Sequence, residues 1–367
     1  MKFSAQREVL LKPLQQVVGI VERKQTNPIL SNLLVNVSGT SVTFTGTDSE
    51  LELVVHLPWV QVEEAGEITL PAKKLLDICR SLPIESDVVI SGEDNRALIQ
   101  AHQSRFVLSS LPAVDFPNLK TISSTIEIQL SQKKLKRLLE TTAFSMAQQD
   151  VRYFLNGILL EVSGNRLRSI ATDGHRLSLS DEILEKEFTD LTQVIVPRKG
   201  VMELIRLLED TDQLVTLALS NAHIRLHMDH MIFTSKLIDG QFPDYEKVIP
   251  KSSQQVFIGE RESLKHALSR VAILSNEKYK GVRLQLSDGN LILTANNPEQ
   301  EEAEERLEID YRGETFEVGF NVNYLLDILQ ILTVPYVKIS FANINSSAVI
   351  RGVDDDQAVY VVMPMKL

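Results

Sequence analysis

The sequence has a single cysteine, Cys79, among 367 residues, so no disulfide can close within the chain. That usage fits a reducing compartment. No apolar run is long enough to span a bilayer, and the opening residues, Met1-Lys2-Phe3-Ser4-Ala5-Gln6-Arg7-Glu8, lack the apolar stretch of a signal peptide. A cytoplasmic protein is expected. Net positive charge is lacking too. The balance is −11, which excludes simple adhesion to nucleic acid through an overall basic surface. There is one tryptophan, Trp59, expected to be a packing residue. Cys79 shares a stripe with Leu75, Ile78 and Leu82 and is expected to be buried and inert.

What is present is a threefold repetition. Ser4-Ala5-Gln6-Arg7-Glu8-Val9-Leu10 is echoed by Ser131-Gln132-Lys133-Lys134-Leu135-Lys136-Arg137 and by Glu260-Arg261-Glu262-Ser263-Leu264-Lys265-His266. Leu70-Pro71-Ala72-Lys73 returns as Val196-Pro197-Arg198-Lys199 and as Phe320-Asn321-Val322-Asn323. Gly46-Thr47-Asp48 returns as Ala171-Thr172-Asp173 and Ala295-Asn296-Asn297. Pro71 and Pro197 are 126 residues apart, Asp48 and Asp173 125, and Asp173 and Asn297 124. Such a period is too long for a solenoid and suits a domain. Domains are expected at 1–122, 123–250 and 251–367, the first copy ending near Phe116-Pro117 and the second near Phe242-Pro243.

The middle copy gives the pattern of each domain. Ile126–Leu130 alternates as a strand, and Ser131 is placed to cap a helix with Leu135, Leu138 and Leu139 on one stripe. Two strands, 157–162 and 167–172, are expected to meet at a turn over Ser163-Gly164-Asn165-Arg166. Pro197 then opens a second helix, where its missing N–H costs little, and Val201, Leu204, Ile205 and Leu208 form its buried stripe. Strands 214–219, 223–228 and 232–237 close the copy. The two halves resemble each other: strand, helix, several strands. The expected class is α+β, with three similar domains of two helices each packed on antiparallel sheets.

Charge is sorted onto the helices. The six predicted spans, 7–18, 72–82, 131–142, 197–209, 260–275 and 321–332, hold fifteen basic and eight acidic residues, leaving −18 elsewhere. Five of the six are net basic, which favours a common basic surface over helix faces that merely happen to be wet. Six helices in a circle, about 9 Å apart and about 10 Å thick, leave a hole of about 7 Å, and twelve leave about 24 Å. A duplex is roughly 20 Å wide. One chain is too small to surround it and two chains suffice.

At these residues the chain resembles the beta sliding clamps of bacterial replicative DNA polymerase. The resemblance runs end to end. It is carried by Leu11-Lys12-Pro13-Leu14-Gln15-Gln16-Val17, Asp150-Val151-Arg152-Tyr153, Leu155-Asn156-Gly157 and Ala171-Thr172-Asp173-Gly174-His175-Arg176-Leu177. Ile195-Val196-Pro197-Arg198-Lys199-Gly200, Ala295-Asn296-Asn297-Pro298-Glu299-Gln300-Glu301-Glu302-Ala303 and the segment Tyr360 to Leu367 complete it. It implies a head-to-tail homodimeric ring of six domains with helices inside, encircling duplex DNA and tethering the polymerase. The clamp loader and other proteins with short clamp-binding motifs would be partners. No catalysis, metal or cofactor is implied.

Carried over residue by residue, the resemblance implies a partner-peptide cleft of Leu155, Thr172, Gly174, His175, Arg176, Leu177, Pro243, Val248, Asn321, Tyr324, Ser347, Val361, Val362, Met363, Pro364 and Met365. A Val-, Met- and Pro-rich terminal segment makes a soft apolar wall for short peptides. Read from the residues alone, it is an edge strand completing a sheet. Lys366 and Lys247 stand where relatives carry arginine, which removes a bidentate carboxylate contact. DNA contacts are implied at Lys12, Lys24, Arg80, Lys133, Lys136, Arg137, Gln149, Arg152, Tyr153, Arg198, Lys199 and Lys265, all directed at phosphate with no base reading. The dimer contact is implied at Lys74, Arg96, Arg105, Phe106, Leu108, Ile273, Leu274, Glu299, Glu301, Glu302 and Glu305, with Gln103 standing where a basic residue is frequent.

Two rival readings are weighed on the residues. Asp173 and His175 suggest a hydrolase, but no serine or cysteine elbow accompanies them, and the other copies lack the histidine. The acidic run from Glu299 to Glu305 suggests a metal site, but its spacing matches no calcium loop. A scaffold that binds partners through its tail without enclosing DNA is the alternative to the ring, and the molecular mass in solution separates the two.

Overall fold

The computed structural model describes residues 1–21, 27–93, 95–119, 124–250 and 255–366. The expected boundaries near 122 and 250 fall within or beside residues outside these ranges, and Lys24 lies outside them. Six helices are present among the described residues: α1 Arg7–Val18, α2 Ala72–Ser81, α3 Gln132–Ala143, α4 Arg198–Leu207, α5 Arg261–Val271 and α6 Val322–Ile331. Each begins within one residue of its expected start. The expected α5 overruns, because its last turn tightens into a 3-10 turn at Ala272–Leu274.

The repeated sequence markers have a structural meaning. Six times a strand turns into a helix with no residue between them: Gln6 to Arg7, Pro71 to Ala72, Ser131 to Gln132, Pro197 to Arg198, Glu260 to Arg261 and Asn321 to Val322. The Pro71/Pro197/Asn321 marker is this corner. Proline closes the strand, where a lost donor costs little, and Asn321 instead accepts a bond from the Asn323 amide at 3.0 Å. Pro197 is therefore the last strand residue, paired with Gly157, and not the first helical one. Ser131 is likewise a strand residue; its hydroxyl is buried without a hydrogen-bond partner among the described residues and does not cap α3.

The chain forms two compact units, one of residues Met1–Lys133 and Met202–Leu237, the other of Lys134–Val201 and Ile238–Leu367. All described strand pairings are antiparallel. The first unit holds a five-stranded sheet, in the order Gln61–Glu64, Lys2–Gln6, Asp87–Glu93, Arg96–Ala101, Ser104–Ser109. It also holds an eight-stranded sheet, in which Leu51–Leu57 of the first repeat pairs with Met231–Lys236 of the middle one. Phe3, Leu10, Leu14, Phe44 and Phe233 are fully buried there. Within this unit Arg206 of α4 donates to Gln16 O at 2.9 Å, satisfying a carbonyl in the last turn of α1.

The second unit holds a six-stranded sheet, in the order Gly157–Thr172, Arg176–Pro197, Asp355–Val362, Ala348–Gly352, Tyr336–Phe341, Gln255–Glu260, and a four-stranded one, in the order Glu302–Glu308, Asn290–Asn296, Gly281–Ser287, Phe316–Asn321. The apolar stripes of α5 and α6, including Leu264, Leu268, Leu325 and Leu329, pack with Phe257, Phe320, Phe341 and Tyr360 in one core.

Two expectations are corrected here, and the turn over Ser163–Arg166 holds. Gly157–Thr172 pairs with Arg176–Pro197 on both sides of Gly164, but it folds back on itself there, at φ +57° as at Gly39 in the first repeat. Arg168 and Glu161 approach to 3.9 Å, whereas a straight strand would hold them about 23 Å apart. The C-terminal strand is no edge, since Asp355–Val362 lies between Arg176–Pro197 and Ala348–Gly352. Trp59 does not pack; it is 88% exposed at φ +60° in the loop after Leu51–Leu57. Cys79 is fully buried as expected, and burial pushes its thiol up to about 11.

Candidate functional site

The second unit carries a cleft of about 160 Å³ lined by Arg152, Leu155, Thr172, Gly174, His175, Arg176, Leu177, Pro243, Tyr245, Val248, Val361 and Met363. One wall is the turn between Gly157–Thr172 and Arg176–Pro197. Thr172 Oγ1 donates to Arg176 O at 2.6 Å and accepts from Gly174 N at 3.1 Å. Asp173 Oδ1 accepts from the amides of His175 and Arg176 at 2.9 and 3.0 Å. The first repeat builds the same turn: Thr47 Oγ1 donates to Leu51 O at 2.6 Å, and Asp48 Oδ1 accepts from the amides of Glu50 and Leu51 at 2.9 and 2.6 Å. The Thr-Asp pair is thus a turn device. With Asp173 engaged by backbone, and the His175 ring stacked on Tyr324 at 6.5 Å, the geometry offers no triad.

Arg176 fastens the turn to its surroundings. It donates to Asp173 at 3.1 Å, to Asp327 at 2.5 Å and to Phe144 O at 2.7 Å. Its guanidinium lies over the rings of Tyr324 at 4.7 Å and Phe144 at 5.2 Å. Arg152 frames the opposite lip, held by Asp150 at 3.0 and 2.9 Å and reaching Asp173 O at 3.3 Å. Its guanidinium hydrogen bonds hold the Asp150 carboxyl down at about 2. A Cβ on Gly174, at φ +89°, would come within 3.0 Å of that guanidinium.

The other wall is the terminal segment. Beyond the pairing of Arg176 with Val362 and Leu177 with Val361, Met363 N donates to His175 O and Met365 N to Gly319 O, each at 2.9 Å. The tail thereby leaves the cleft: Met365 lines a larger hollow of about 920 Å³ with Tyr279 and Asn296. Ten of the expected cleft residues meet in the lining. Asn321, Tyr324, Ser347, Val362, Pro364 and Met365 lie outside it, although Tyr324 flanks it against His175 and Arg176.

Sequence reasoning missed Tyr245 in the cleft and assigned Arg152 elsewhere. Nothing in the string Pro243-Asp244-Tyr245 marks the tyrosine, which belongs to a 3-10 turn, Tyr245–Lys247. Burial foremost pushes its phenol up to about 12, so the hydroxyl stays a donor.

The basic set is spread over exposed and paired positions. Lys12 meets Glu209 at 3.0 Å, Lys133 meets Asp212 at 2.6 Å, Arg137 meets Asp355 at 3.8 Å and Lys265 meets Glu262 at 3.9 Å. Arg80 and Lys136 form no ion pair among the described residues. Gln149 stands at φ +54° beside Asp150, and Tyr153 is exposed with its ring edge-on to Phe154 at 5.8 Å. Arg198 is half-buried and donates to Met146 O at 3.4 Å. Lys199, beside it on α4, is half-buried too.

Of the dimer set, Lys74, Arg96, Arg105, Glu299, Glu301 and Glu302 are exposed, Phe106 and Leu274 are half-buried and Leu108 is buried. Ile273 is 77% exposed. Glu305 is already engaged within the chain by Arg270 at 2.5 and 3.0 Å, which lowers its pKa.

Three family models match the chain: DNA polymerase III beta subunit N-terminal domain over residues 1–120, central domain over 129–244 and C-terminal domain over 246–366. The beta sliding clamp of Pseudomonas putida is 52% identical over 367 residues, and that of Escherichia coli K12 48%, each covering all of both chains. The crystal structure of the DNA polymerase III subunit beta from Pseudomonas aeruginosa matches with a TM-score of 0.98 at 51% identity, covering all of both chains. A second structure of that protein, also at 0.98, 51% and full coverage of both, is of the sliding clamp bound to griselimycin.

Proposed function

Because the chain belongs to the DNA polymerase III beta subunit family and is a sliding clamp, a non-catalytic processivity factor of the replicative polymerase, we propose how its parts divide that work. Its three domains are 1–122, 123–250 and 251–367. Two copies join head to tail, the third domain of one against the first domain of the other, and close a six-domain ring around duplex DNA in the cytoplasm.

The observation that carries this is a pair of complementary sheet edges. Among the described residues Ser104–Ser109 ends the five-stranded sheet and Glu302–Glu308 ends the four-stranded one, so each presents an unpaired backbone row there. The first carries Arg105, with Arg96 on the neighbouring strand, and the second Glu302, Glu304 and Glu305. Joined between copies, they extend one sheet into the next. Ile273 and Leu274 then cover Phe106 and Leu108, which contributes more than the exposed ion pairs do.

The basic residues, Lys12 to Lys265, meet phosphates without reading bases. The cleft takes short apolar peptide segments of the polymerase, the clamp loader and other partners, and it is where griselimycin would bind this chain. Light scattering should give twice the 41.3 kDa of one chain, and protein loaded on a closed DNA circle should be lost when the circle is cut. A stable monomer, or equal retention on linear DNA with free ends, would refute the ring.

A further inference from the structure

Tyr245 lines two spaces, the cleft and a separate hollow of about 540 Å³ that also reaches Arg168 and Asp181. The ring packs in a buried cluster with Leu159, Ile170, Leu177 and Val361, and its hydroxyl fixes where it sits within that cluster. That hydroxyl donates to Glu161 Oε1 at 2.9 Å and accepts from Arg168 at 2.9 Å. Both partners are themselves fixed. Asp181 grips Arg168 at 2.7 and 3.1 Å, and Gln193 donates to Glu161 at 2.6 Å. Arg168 faces Asp181, and Glu161 faces Gln193, directly across the paired strands.

The reversal at Gly164, φ +57°, makes this arrangement possible. It folds Arg168 back beside Glu161, 3.9 Å away, and sets Leu167 beside Val162, both fully buried. Glu161 and Arg168 therefore share the other face, where both reach the tyrosine.

We propose that Tyr245 sets the floor of the cleft for a bound peptide, and that Glu161, Arg168 and Asp181 are positioning residues that hold its ring there. This rests on the reading of the cleft as the partner site. The probe is griselimycin, the ligand of the 51% identical Pseudomonas aeruginosa clamp, with association and dissociation followed on the full-length protein. Tyr245→Phe keeps the ring and removes both hydroxyl bonds. Glu161→Ala removes one of them, and Glu161→Gln restores an acceptor. Tyr245→Phe and Glu161→Ala should each weaken griselimycin by roughly five- to tenfold, chiefly through faster dissociation. Glu161→Gln should return it toward the parent value, with all three melting close to the parent. Leu177→Ala, in the cleft wall itself, should weaken binding more than any of them. If it does while Tyr245→Phe and Glu161→Ala bind as the parent, or merely melt lower with binding unchanged, the positioning role is wrong and the cleft reading stands. If Leu177→Ala binds as the parent, or the parent itself does not bind, the cleft reading fails first.

Discussion

Arg176 shows how much one side chain can carry. Its side chain is 11% exposed and ties two aspartates, a carbonyl and two rings together. Removing one member of such a cluster leaves the others desolvated and unpaired, so Arg176→Ala should cost about 2–4 kcal/mol in chemical denaturation. Lysine should recover little of it, since it lacks the planar fork. Asp150 gives a pH signature. Its carboxyl is held at about 2 by Arg152, below its unfolded value, so its contribution is full above roughly pH 4 and fades as the pH falls through about 2. Asp150→Asn should flatten the fall of melting temperature across that acid window by lowering it at neutral pH, with little change near pH 2. At this scale the sequence was readable where a residue type has one role: a lone cysteine on a leucine stripe is buried. It misled at Trp59, where large and apolar did not mean inside. It was silent at Tyr245, whose role depends on Glu161 and Arg168, which lie far from it along the chain.

Among the elements, helices were readable because their apolar period is long and their starts recur. α3, for example, buries Leu135, Leu138 and Leu139 while Lys133, Lys134 and Arg137 stay exposed. The turn at Ser163-Gly164-Asn165-Arg166 was readable too, because its composition is that of a turn and the chain reverses there. The string did not show that one partner, Arg176–Pro197, pairs with both arms of that turn. Two changes separate backbone strain from register. Gly164→Ala meets open space but must hold φ +57°, so it should cost about 1 kcal/mol. Deleting Asn165 should be far worse. It leaves the turn one residue short and slips the returning arm, which turns Leu167 and Ser169 outward, so the variant should fail to give soluble, cooperatively melting protein.

At the scale of the whole molecule the charge sorting becomes a mechanism. An acidic chain with basic helices holds a polyanion by enclosure, and contacts to phosphate add only a salt-sensitive part. Raising salt from 50 to 200 mM should therefore strip the protein from linear DNA and leave most of it on closed circles, as read by gel filtration of loaded DNA. The threefold repetition was readable from end to end. The sheets were not, because their pairings cross repeats: Leu51–Leu57 joins Met231–Lys236, and Arg176–Pro197 joins Asp355–Val362. Such long-range pairing leaves no local trace in a sequence. The last of these pairings also governs the order of assembly. Asp355–Val362 is synthesised after both strands it separates, so the six-stranded sheet is open along its middle until that strand exists. The middle and third repeats can each gather local structure during synthesis, but the seam between them, and the cleft wall at Val361 and Met363, wait for that strand to pair. A chain whose Asp355–Val362 has not yet paired therefore has no finished site to offer a partner.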